Sequence, residues 1–182
     1  MKELVVFIDS GDTLVDESTE VYENKDVVAR AELFPGAAEA LRCMKQAGYQ
    51  VVLVADGLDR SFENVYRQHG LRDCFDGWVV SGTVGECKPS PLMFRTAMQA
   101  MGLTDRDRER IVMIGNNLER DIVGANRMGL HSILASYSPR YVMQPSCREQ
   151  VPEYVAASPA EIPALVDMLD MQVKNRKILE AR

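Results

Sequence analysis

An acidic residue closes the first strongly apolar segment of the chain. Residues 4–8 read Leu-Val-Val-Phe-Ile, and Asp9 follows them directly, ahead of Ser10 and Gly11. Such a run predicts a buried strand, and the ligands of open α/β sheets bind outside the carboxyl ends of the strands. A carboxylate in that place can attack an electrophile or hold a cation. The alternative is that Asp9 only caps the turn after the strand.

Other residues with useful chemistry follow later apolar segments. These residues belong to three segments: Ala55-Asp56-Gly57, Lys88-Pro89, and residues 115–121, which read Gly-Asn-Asn-Leu-Glu-Arg-Asp. A lysine at Lys88 could stabilise negative charge on phosphoryl oxygens, although most loop lysines are simply solvated. Asn116 could offer an amide oxygen to a cation, or could belong to an ordinary turn.

Strand-like and helix-like segments alternate along the chain and would position these residues. The predicted strands are 3–9, 50–55, 77–81, 110–115 and 131–136. The predicted helices are 35–48, 59–69, 91–101, 121–129 and a last one that starts between 159 and 162. This order predicts an α/β fold, a three-layer sandwich around a mainly parallel, five-stranded, doubly wound (Rossmann-like) sheet.

Two segments depart from this alternation. Residues 14–34 begin with polar residues and continue with alternating Val and Tyr, which predicts a short flap or hairpin above the strand tips. Residues 137–152 contain Pro139, Pro145 and Pro152 and are predicted to form a surface loop. The length favours one domain over residues 1–182.

The overall composition bounds the possible partners and compartment. The net charge of −6 argues against nucleic acid or an anionic membrane as a partner. A strand so close to the first residue leaves no room for a signal peptide, and no apolar run approaches the roughly 18 residues of a membrane span. Four widely spread cysteines without a zinc-ligand pattern are typical of free thiols. We therefore expect a cytoplasmic protein.

The four segments, taken in this order, resemble the motifs of the haloacid dehalogenase-like (HAD) superfamily of hydrolases. The resemblance covers nearly the whole chain. The family's motifs read DxDGT, then a Ser or Thr at the end of the second strand, then Lys, then GDxxxxD. Four residues match this pattern: Asp9, Thr13, Lys88 and Asp121. Three residues depart from it: Gly11, Ala55 and Asn116.

The resemblance implies a Mg²⁺-dependent phosphohydrolase. Asp9 would be the nucleophile, which forms an aspartyl-phosphate that water then hydrolyses, and Lys88 would pair with Asp9 and the phosphoryl oxygens. The implied metal site consists of Asp9, the Gly11 carbonyl, the Asn116 amide oxygen and, from nearby, Asp121. The implied substrate-binding residues are Thr13, Ala55, Asp56 and Gly57, with the N–H groups of the last two replacing the hydroxyl that Ala55 lacks.

Gly11 is the most consequential departure, because the family's residue there usually protonates the leaving group and later activates water. Either Asp12 takes over this role from the next position, or the enzyme has no acid of its own. In the second case it should prefer good leaving groups, such as acyl phosphates, anhydrides or aryl phosphates. Asn116 should also lower the affinity for the cation.

The chain has no large insert of the kind that forms a cap in this family. It resembles the capless type, whose open site suits a larger phosphorylated molecule, or a small phosphorylated substrate covered by a second subunit of a homo-oligomer. The alternative function is that of a catalytically weak or silent HAD-fold protein that binds phosphate or a protein partner. A third possibility is hydrolysis of a carbon–halogen or carbon–phosphorus bond.

Overall fold

The computed structural model describes residues 2–138 and 140–180. Its strands are β1 (Val5–Ile8), β2 (Val15–Tyr22), β3 (Val28–Leu33), β4 (Gln50–Ala55), β5 (Gly77–Val80), β6 (Ile111–Gly115), β7 (His131–Ala135) and β8 (Tyr154–Ala156). Its α-helices are α1 (Ala37–Gln46), α2 (Asp59–Gln68), α3 (Ser81–Val84), α4 (Pro91–Ala100), α5 (Val123–Met128) and α6 (Ile162–Glu180). A π-helical turn, Leu118–Ile122, leads into α5. Short 3₁₀ turns cover Arg72–Cys74, Asp105–Arg110, Arg148–Gln150 and Pro159–Glu161.

Strand β1 occupies the middle of a parallel six-stranded sheet. The strand order is β5-β4-β1-β6-β7-β8, and every neighbouring pair is parallel. The chain moves outward from β1 through β4 to β5, then crosses back to place β6 on the other side of β1. The strand order thus reverses between β1 and β6. Such a switch point leaves a crevice at the carboxyl ends of the two strands.

Helices cover both faces of this sheet. Val6 and Ile8 of β1 belong to one hydrophobic cluster with residues of α1, α2 and α6. Val5 and Phe7 belong to a second cluster with residues of α4 and α5. Successive residues of a strand point to opposite faces, so a strand covered on both sides is apolar throughout. This confirms the predicted α/β sandwich with a parallel sheet.

The sheet has one strand more than predicted. The additional strand, β8, has three residues and pairs with β7 at the edge of the sheet. Val155 in its middle is 51% exposed. A strand this short and half exposed carries no periodic signal in the sequence. It follows the loop predicted for residues 137–152, in which Pro139 lies outside the described residues.

Residues 14–34 contain an antiparallel hairpin, β2–β3, which is attached to α2. The backbone N–H of Val28 donates to Ser61 Oγ (3.0 Å), and Asn64 Nδ2 donates to the Val28 carbonyl (2.9 Å). Gln68 bonds to both backbone groups of Ala31. Side chains of α2 therefore satisfy the edge of β3 that would otherwise remain unpaired. The hairpin is a fixed part of the fold rather than a loose flap.

The amino end of β1 is anchored by α6. Asp170 is buried, and its Oδ1 accepts the N–H groups of Glu3 (2.7 Å) and Leu4 (3.0 Å), while Oδ2 pairs with Lys174 (2.7 Å). Burial would raise the pKa of Asp170, but these hydrogen bonds together outweigh it and lower the pKa. This contact fixes the strand that carries Asp9. Among residues 2–138 and 140–180, no helix is both long and apolar enough to cross a membrane.

Replacing Asp170 with Ala should lower the free energy of unfolding by about 1–3 kcal/mol, because two backbone donors lose a charged acceptor. The loss should be present at neutral pH and should shrink in acid, where the wild-type carboxylate becomes protonated. Urea unfolding measures both effects. The exposed Asp73→Ala is the matched control. Equal stability of the two variants would contradict this role for Asp170.

Candidate active site

The carboxyl ends of β1, β4 and β6 border a cavity of about 40 Å³. Six residues that the sequence singled out line it: Asp9, Gly11, Asp56, Lys88, Asn116 and Asp121. Four residues that the sequence did not single out complete the lining: Glu17, Asn117, Arg120 and Tyr141. The cavity lies where the strand order reverses, which is the place that the topology favours for a ligand.

Lys88 bridges two carboxylates at the base of this cavity. Its Nζ lies 2.6 Å from Asp9 Oδ1 and 2.8 Å from Asp121 Oδ1, and it donates to the Val54 carbonyl (2.8 Å). Burial alone would lower the pKa of Lys88, but the carboxylates of Asp121 and Asp9 outweigh burial and raise the pKa above its ordinary value. The buried ammonium group therefore stays charged and holds both carboxylates in place.

Asp9 is fixed from several sides and still reaches the cavity. Its backbone N–H donates to the Ile114 carbonyl (2.9 Å), which extends the pairing of β1 with β6 by one residue. Lys88 holds Oδ1, and Thr13 Oγ1 donates to Oδ2 at 3.3 Å. The residue is 8% exposed. This carboxylate is thus oriented toward the small opening with one oxygen only weakly engaged.

Asp121 is held by the π-helical turn. Asn117 caps that turn, since its Oδ1 accepts the N–H groups of Glu119 (2.9 Å) and Arg120 (3.1 Å), and its own N–H donates to Asp121 Oδ2 (3.0 Å). The helix therefore begins three residues before the predicted start at residue 121. Burial raises the pKa of Asp121, with Lys88 opposing and Asp9 adding to the rise.

Gly115 makes room for this arrangement. An ideal Cβ on Gly115 would lie 2.2 Å from Cγ of Asp121, well inside any allowed contact. The glycine of this motif is required by the close approach of a side chain and not by an unusual backbone angle.

Asn116 points an amide group at the same cavity. It is 1% exposed, and its Nδ2 has no hydrogen-bond partner in the described part of the chain. The nitrogen and oxygen of an amide are interchangeable by a half-turn, so this side chain can present its oxygen to a ligand. Together with Asp9 and the backbone of Gly11, which also line the cavity, it offers oxygen donors of the kinds that Mg²⁺ prefers.

Any cation here would depend on few charges. Over residues 2–138 and 140–180, no group of three or more His, Cys, Asp or Glu side chains is arranged to hold a metal ion. Asp121 already contacts Lys88 and the Asn117 N–H. The predicted donors Asp9, Gly11 and Asn116 therefore supply one carboxylate between them, and Asp121 could contribute only from a second layer.

The structure places Asp12 outside the lining of the cavity, and the prediction that it could replace the missing acid stays a prediction. Asp12 is buried in a left-handed backbone conformation (φ 51°), and its carboxylate pairs with Arg140 and accepts the Glu17 N–H at 3.3 Å. In this conformation the side chain lies against Arg140 and the backbone of Glu17 and does not line the cavity beside Asp9. Arg140 from the loop after β7 then holds it there.

Three of the predicted substrate-binding residues also lie outside the cavity lining. Thr13 is fully buried and bonds to Asp9, and Ala55 is 1% exposed at the end of β4. The N–H of Gly57 donates to Ser81 Oγ (2.9 Å), so it is already engaged. A substrate-binding role for Thr13, Ala55 and Gly57 stays a prediction, since none of the three lines the cavity directly.

Asp56 does line the cavity, and its carboxylate contacts two residues that carry positive charge. Its Oδ1 accepts the backbone N–H of Lys88 (3.0 Å), and its Oδ2 lies 3.5 Å from Arg120 Nη1. Arg120 was missed, although it directly precedes Asp121 in the fourth motif. With Asn117 and Tyr141, Arg120 also borders a neighbouring cavity of about 420 Å³. A guanidinium group therefore stands between the small cavity and the larger one.

Glu17 was missed as well. It lies on β2, and its Oε2 is 3.1 Å from Arg140 Nη1. Burial raises the pKa of Glu17 to about 7, because Asp12, Glu20 and Asp9 add to burial while Arg140 only partly opposes it. The signal in the sequence was its spacing: Glu17 follows Val15 by two residues on a strand, and Val15 is buried.

The chain belongs to the haloacid dehalogenase-like hydrolases. The family model described as "haloacid dehalogenase-like hydrolase" matches residues 3–129. This confirms the resemblance inferred from the motifs and the prediction of an enzyme of the hydrolase class.

Several curated relatives are named as phosphatases. A glyceraldehyde 3-phosphate phosphatase of Methanothermobacter thermautotrophicus is 34% identical over 57% of this chain and 44% of that protein. One of Pyrococcus furiosus is 28% identical over 76% of this chain and 55% of that protein. Pyrophosphatase PpaX of Halalkalibacterium halodurans is 26% identical over 79% and 62%. The chain spans about half the length of the curated relatives it matches.

Solved structures share the fold. An uncharacterized protein of Listeria monocytogenes serotype 4b has a TM-score of 0.74 at 25% identity, covering 92% of this chain and 99% of that one. The HAD-hydrolase YfnB of Bacillus subtilis, solved bound to magnesium, has a TM-score of 0.66 at 23% identity, covering 75% and 57%.

Replacing Lys88 with Met should lower the free energy of unfolding by about 3–5 kcal/mol at pH 7, because two buried carboxylates lose their shared cation. The penalty relative to wild type should shrink as the pH falls, since protonation removes the repulsion between Asp9 and Asp121. Urea unfolding at two pH values measures it. Lys45→Met, which breaks the more exposed pair with Asp76, should cost at most about 1 kcal/mol. A pH-independent penalty for Lys88→Met would contradict the argument.

Proposed function

We propose that this chain is a Mg²⁺-dependent phosphohydrolase that transfers the phosphoryl group of its substrate to Asp9 and then to water. The observation that carries this proposal is the geometry of Asp9: a carboxylate at the switch point that lines the cavity and has its Oδ1 held by Lys88 at 2.6 Å. A carboxylate that is already oriented by its hydrogen bonds can act as a nucleophile, because it loses little conformational freedom when the substrate binds.

The positive groups around the cavity suit a phosphoryl group. Lys88 lies at its base, and Arg120 lies at its border with the larger neighbouring cavity. Negative charge spreads over the equatorial oxygens during phosphoryl transfer, and cations that are already in place stabilise it. Lys88 would serve the oxygens beside Asp9, while Arg120 would contact the substrate as it enters.

The donor set fits Mg²⁺, with Asp9, the Gly11 carbonyl and the Asn116 amide as ligands and Asp121 behind them. When bound, the ion would neutralise part of the phosphate charge beside the nucleophile. Asn116 contributes a dipole where the family's pattern has a charge, so we expect a weak site. The unpartnered amide nitrogen of Asn116 supports a side chain kept for a ligand, because an unsatisfied buried polar group costs about 1–3 kcal/mol.

We propose a small phosphorylated metabolite as the substrate, in line with the relatives named as glyceraldehyde 3-phosphate phosphatase and pyrophosphatase. The cavity of about 420 Å³ beyond Arg120 has room for the part of the substrate that leaves.

We further propose that residues 1–182 act as a single capless domain. The larger cavity would then either admit a bigger phosphorylated molecule or be covered by a second subunit. Four free cysteines support a reducing, cytoplasmic setting.

A second candidate function is phosphate or partner binding without efficient turnover. The specific observation in its favour is that Gly11, Ala55 and Asn116 each lack the group that the family's motif supplies. Turnover measurements distinguish the two functions.

The Asp9→Asn variant should hydrolyse acetyl phosphate and p-nitrophenyl phosphate no faster than the buffer with Mg²⁺ does, because the amide cannot attack phosphorus. Steady-state assays of phosphate release measure this. Asp26→Asn, an exposed change of the same kind in the hairpin turn, should retain wild-type rates. If wild type and Asp9→Asn released phosphate equally, the proposed activity would be lost and the binding function would be favoured.

The Asn116→Asp variant should bind Mg²⁺ on the order of tenfold more tightly than wild type, because a second carboxylate joins the donor set. Isothermal titration with Mg²⁺ in the absence of substrate measures the dissociation constants. Asn117→Asp is the matched control. It adds the same charge at the neighbouring residue, but Asn117 is the cap of the π-helical turn and not a proposed ligand. Unchanged Mg²⁺ binding in Asn116→Asp would contradict the proposed ligand set.

A further inference from the structure

Glu17 fills the space that a side chain at position 11 would enter. An ideal Cβ built on Gly11 would lie 1.8 Å from Glu17 Oε1 and 2.8 Å from Glu17 Cδ. The two positions cannot both carry a full side chain in this arrangement. The glycine at position 11 therefore coincides with a carboxyl group brought to the same place from another element.

The fold presents this carboxyl group to the nucleophile. Glu17 lies on the first part of β2, on the same face as the buried Val15, and it lines the cavity together with Asp9 and Lys88. Side chains two residues apart on a strand share a face, so burial of Val15 directs Glu17 inward. The hairpin is in turn fixed to α2, which gives Glu17 a rigid support.

Arg140 orients the carboxyl group further. Its Nη1 lies 3.1 Å from Glu17 Oε2, and its Nε pairs with Asp12. Oε2 is thus engaged, and Oε1 is the oxygen directed at the space beside Gly11. The same arginine that keeps Asp12 out of the cavity holds Glu17 in it.

We propose that Glu17 supplies the carboxyl group that protonates the leaving group and then activates water, in place of a side chain at position 11. This inference rests on the proposed function, because it assigns a second catalytic residue to the reaction that Asp9 begins. It also replaces the two earlier alternatives, in which Asp12 did this work or no residue did.

Asp9 and Glu17 act in two successive steps. An Asp9 oxygen bonds to phosphorus while the bond between phosphorus and the leaving oxygen breaks, and the Glu17 proton moves to that oxygen, which leaves as an alcohol. The Glu17 carboxylate then accepts a proton from water. The water oxygen bonds to phosphorus as the Asp9–phosphorus bond breaks. Phosphate and alcohol are formed from a phosphate ester and water, and both side chains return to their first state.

The test compares substrates that differ in how much they need a proton. The leaving group of an alkyl phosphate is a strongly basic alkoxide, whereas the leaving group of acetyl phosphate is acetate, which needs no proton. Glu17→Gln should lower kcat/KM for ethyl phosphate by about 10²–10⁴-fold, the usual size of general acid–base help, and should lower it only a few fold for acetyl phosphate. Glu32→Gln, exposed on the other strand of the hairpin, is the matched control and should match wild type on both substrates.

A second variant moves the carboxyl group back to position 11. Glu17→Ala should lose activity toward ethyl phosphate, and Gly11→Asp combined with Glu17→Ala should recover much of it, because the new side chain enters the vacated space. Gly11→Asp alone should be less stable than the double variant in urea unfolding, since both carboxyl groups then compete for one place. Recovery by relocation is a result that a purely structural role for Glu17 would not produce.

The role of Glu17 and the Asp9-dependent activity can fail separately in these experiments. Equal losses on both substrates in Glu17→Gln, or no recovery in the folded double variant, would overturn the role of Glu17 and leave Asp9-dependent turnover standing. Asp9-independent phosphate release in wild type would overturn both. Selective loss on ethyl phosphate, followed by recovery in the double variant, would establish Glu17 as the proton carrier.

Discussion

The arrangement of the candidate site depends on one buried ammonium group. Lys88 Nζ contacts Asp9 and Asp121 within 2.8 Å in a region that is almost completely closed to solvent. Burying an isolated charge costs several kcal/mol, so each member of this trio is tolerable only with the others present. The trio joins the ends of β1 and the π-helical turn to the loop before α4. The fold thereby sets the position of Asp9 through electrostatics as well as through packing.

Parallel-sheet topology brings these residues together although they lie far apart in the chain. The switch between β1 and β6 leaves a crevice, and the residues after both strands meet there. Elements outside the sheet then complete the surroundings: the hairpin brings Glu17, and the loop after β7 brings Arg140. The cavity of this HAD domain thus takes polar residues from the first hairpin and from a late loop, Glu17 and Tyr141.

The sequence was sufficient for the parts of the structure that follow local rules. Apolar runs identified the five longer strands of the sheet, and order plus spacing linked Asp9 to Lys88 and Asp121. It was not sufficient where position depends on tertiary contact. The edge strand β8 is too short to show periodicity, the Gly57 N–H is taken by Ser81, and Arg140 turns Asp12 away. The spacing of Glu17 from Val15 indicates which face of β2 it occupies, but its proximity to Gly11 arises only in the folded hairpin.

Transfer of the phosphoryl group to Asp9 is tested by locating that group on the protein during turnover. The protein would be mixed with acetyl phosphate and Mg²⁺, quenched in acid within the first turnovers, digested and examined by mass spectrometry. We expect a phosphate, preserved by the acid quench, on the peptide that contains Asp9, and none on the same peptide of Asp9→Asn. Steady hydrolysis with the phosphate on another residue, or with no phosphorylated protein at any time, would contradict it.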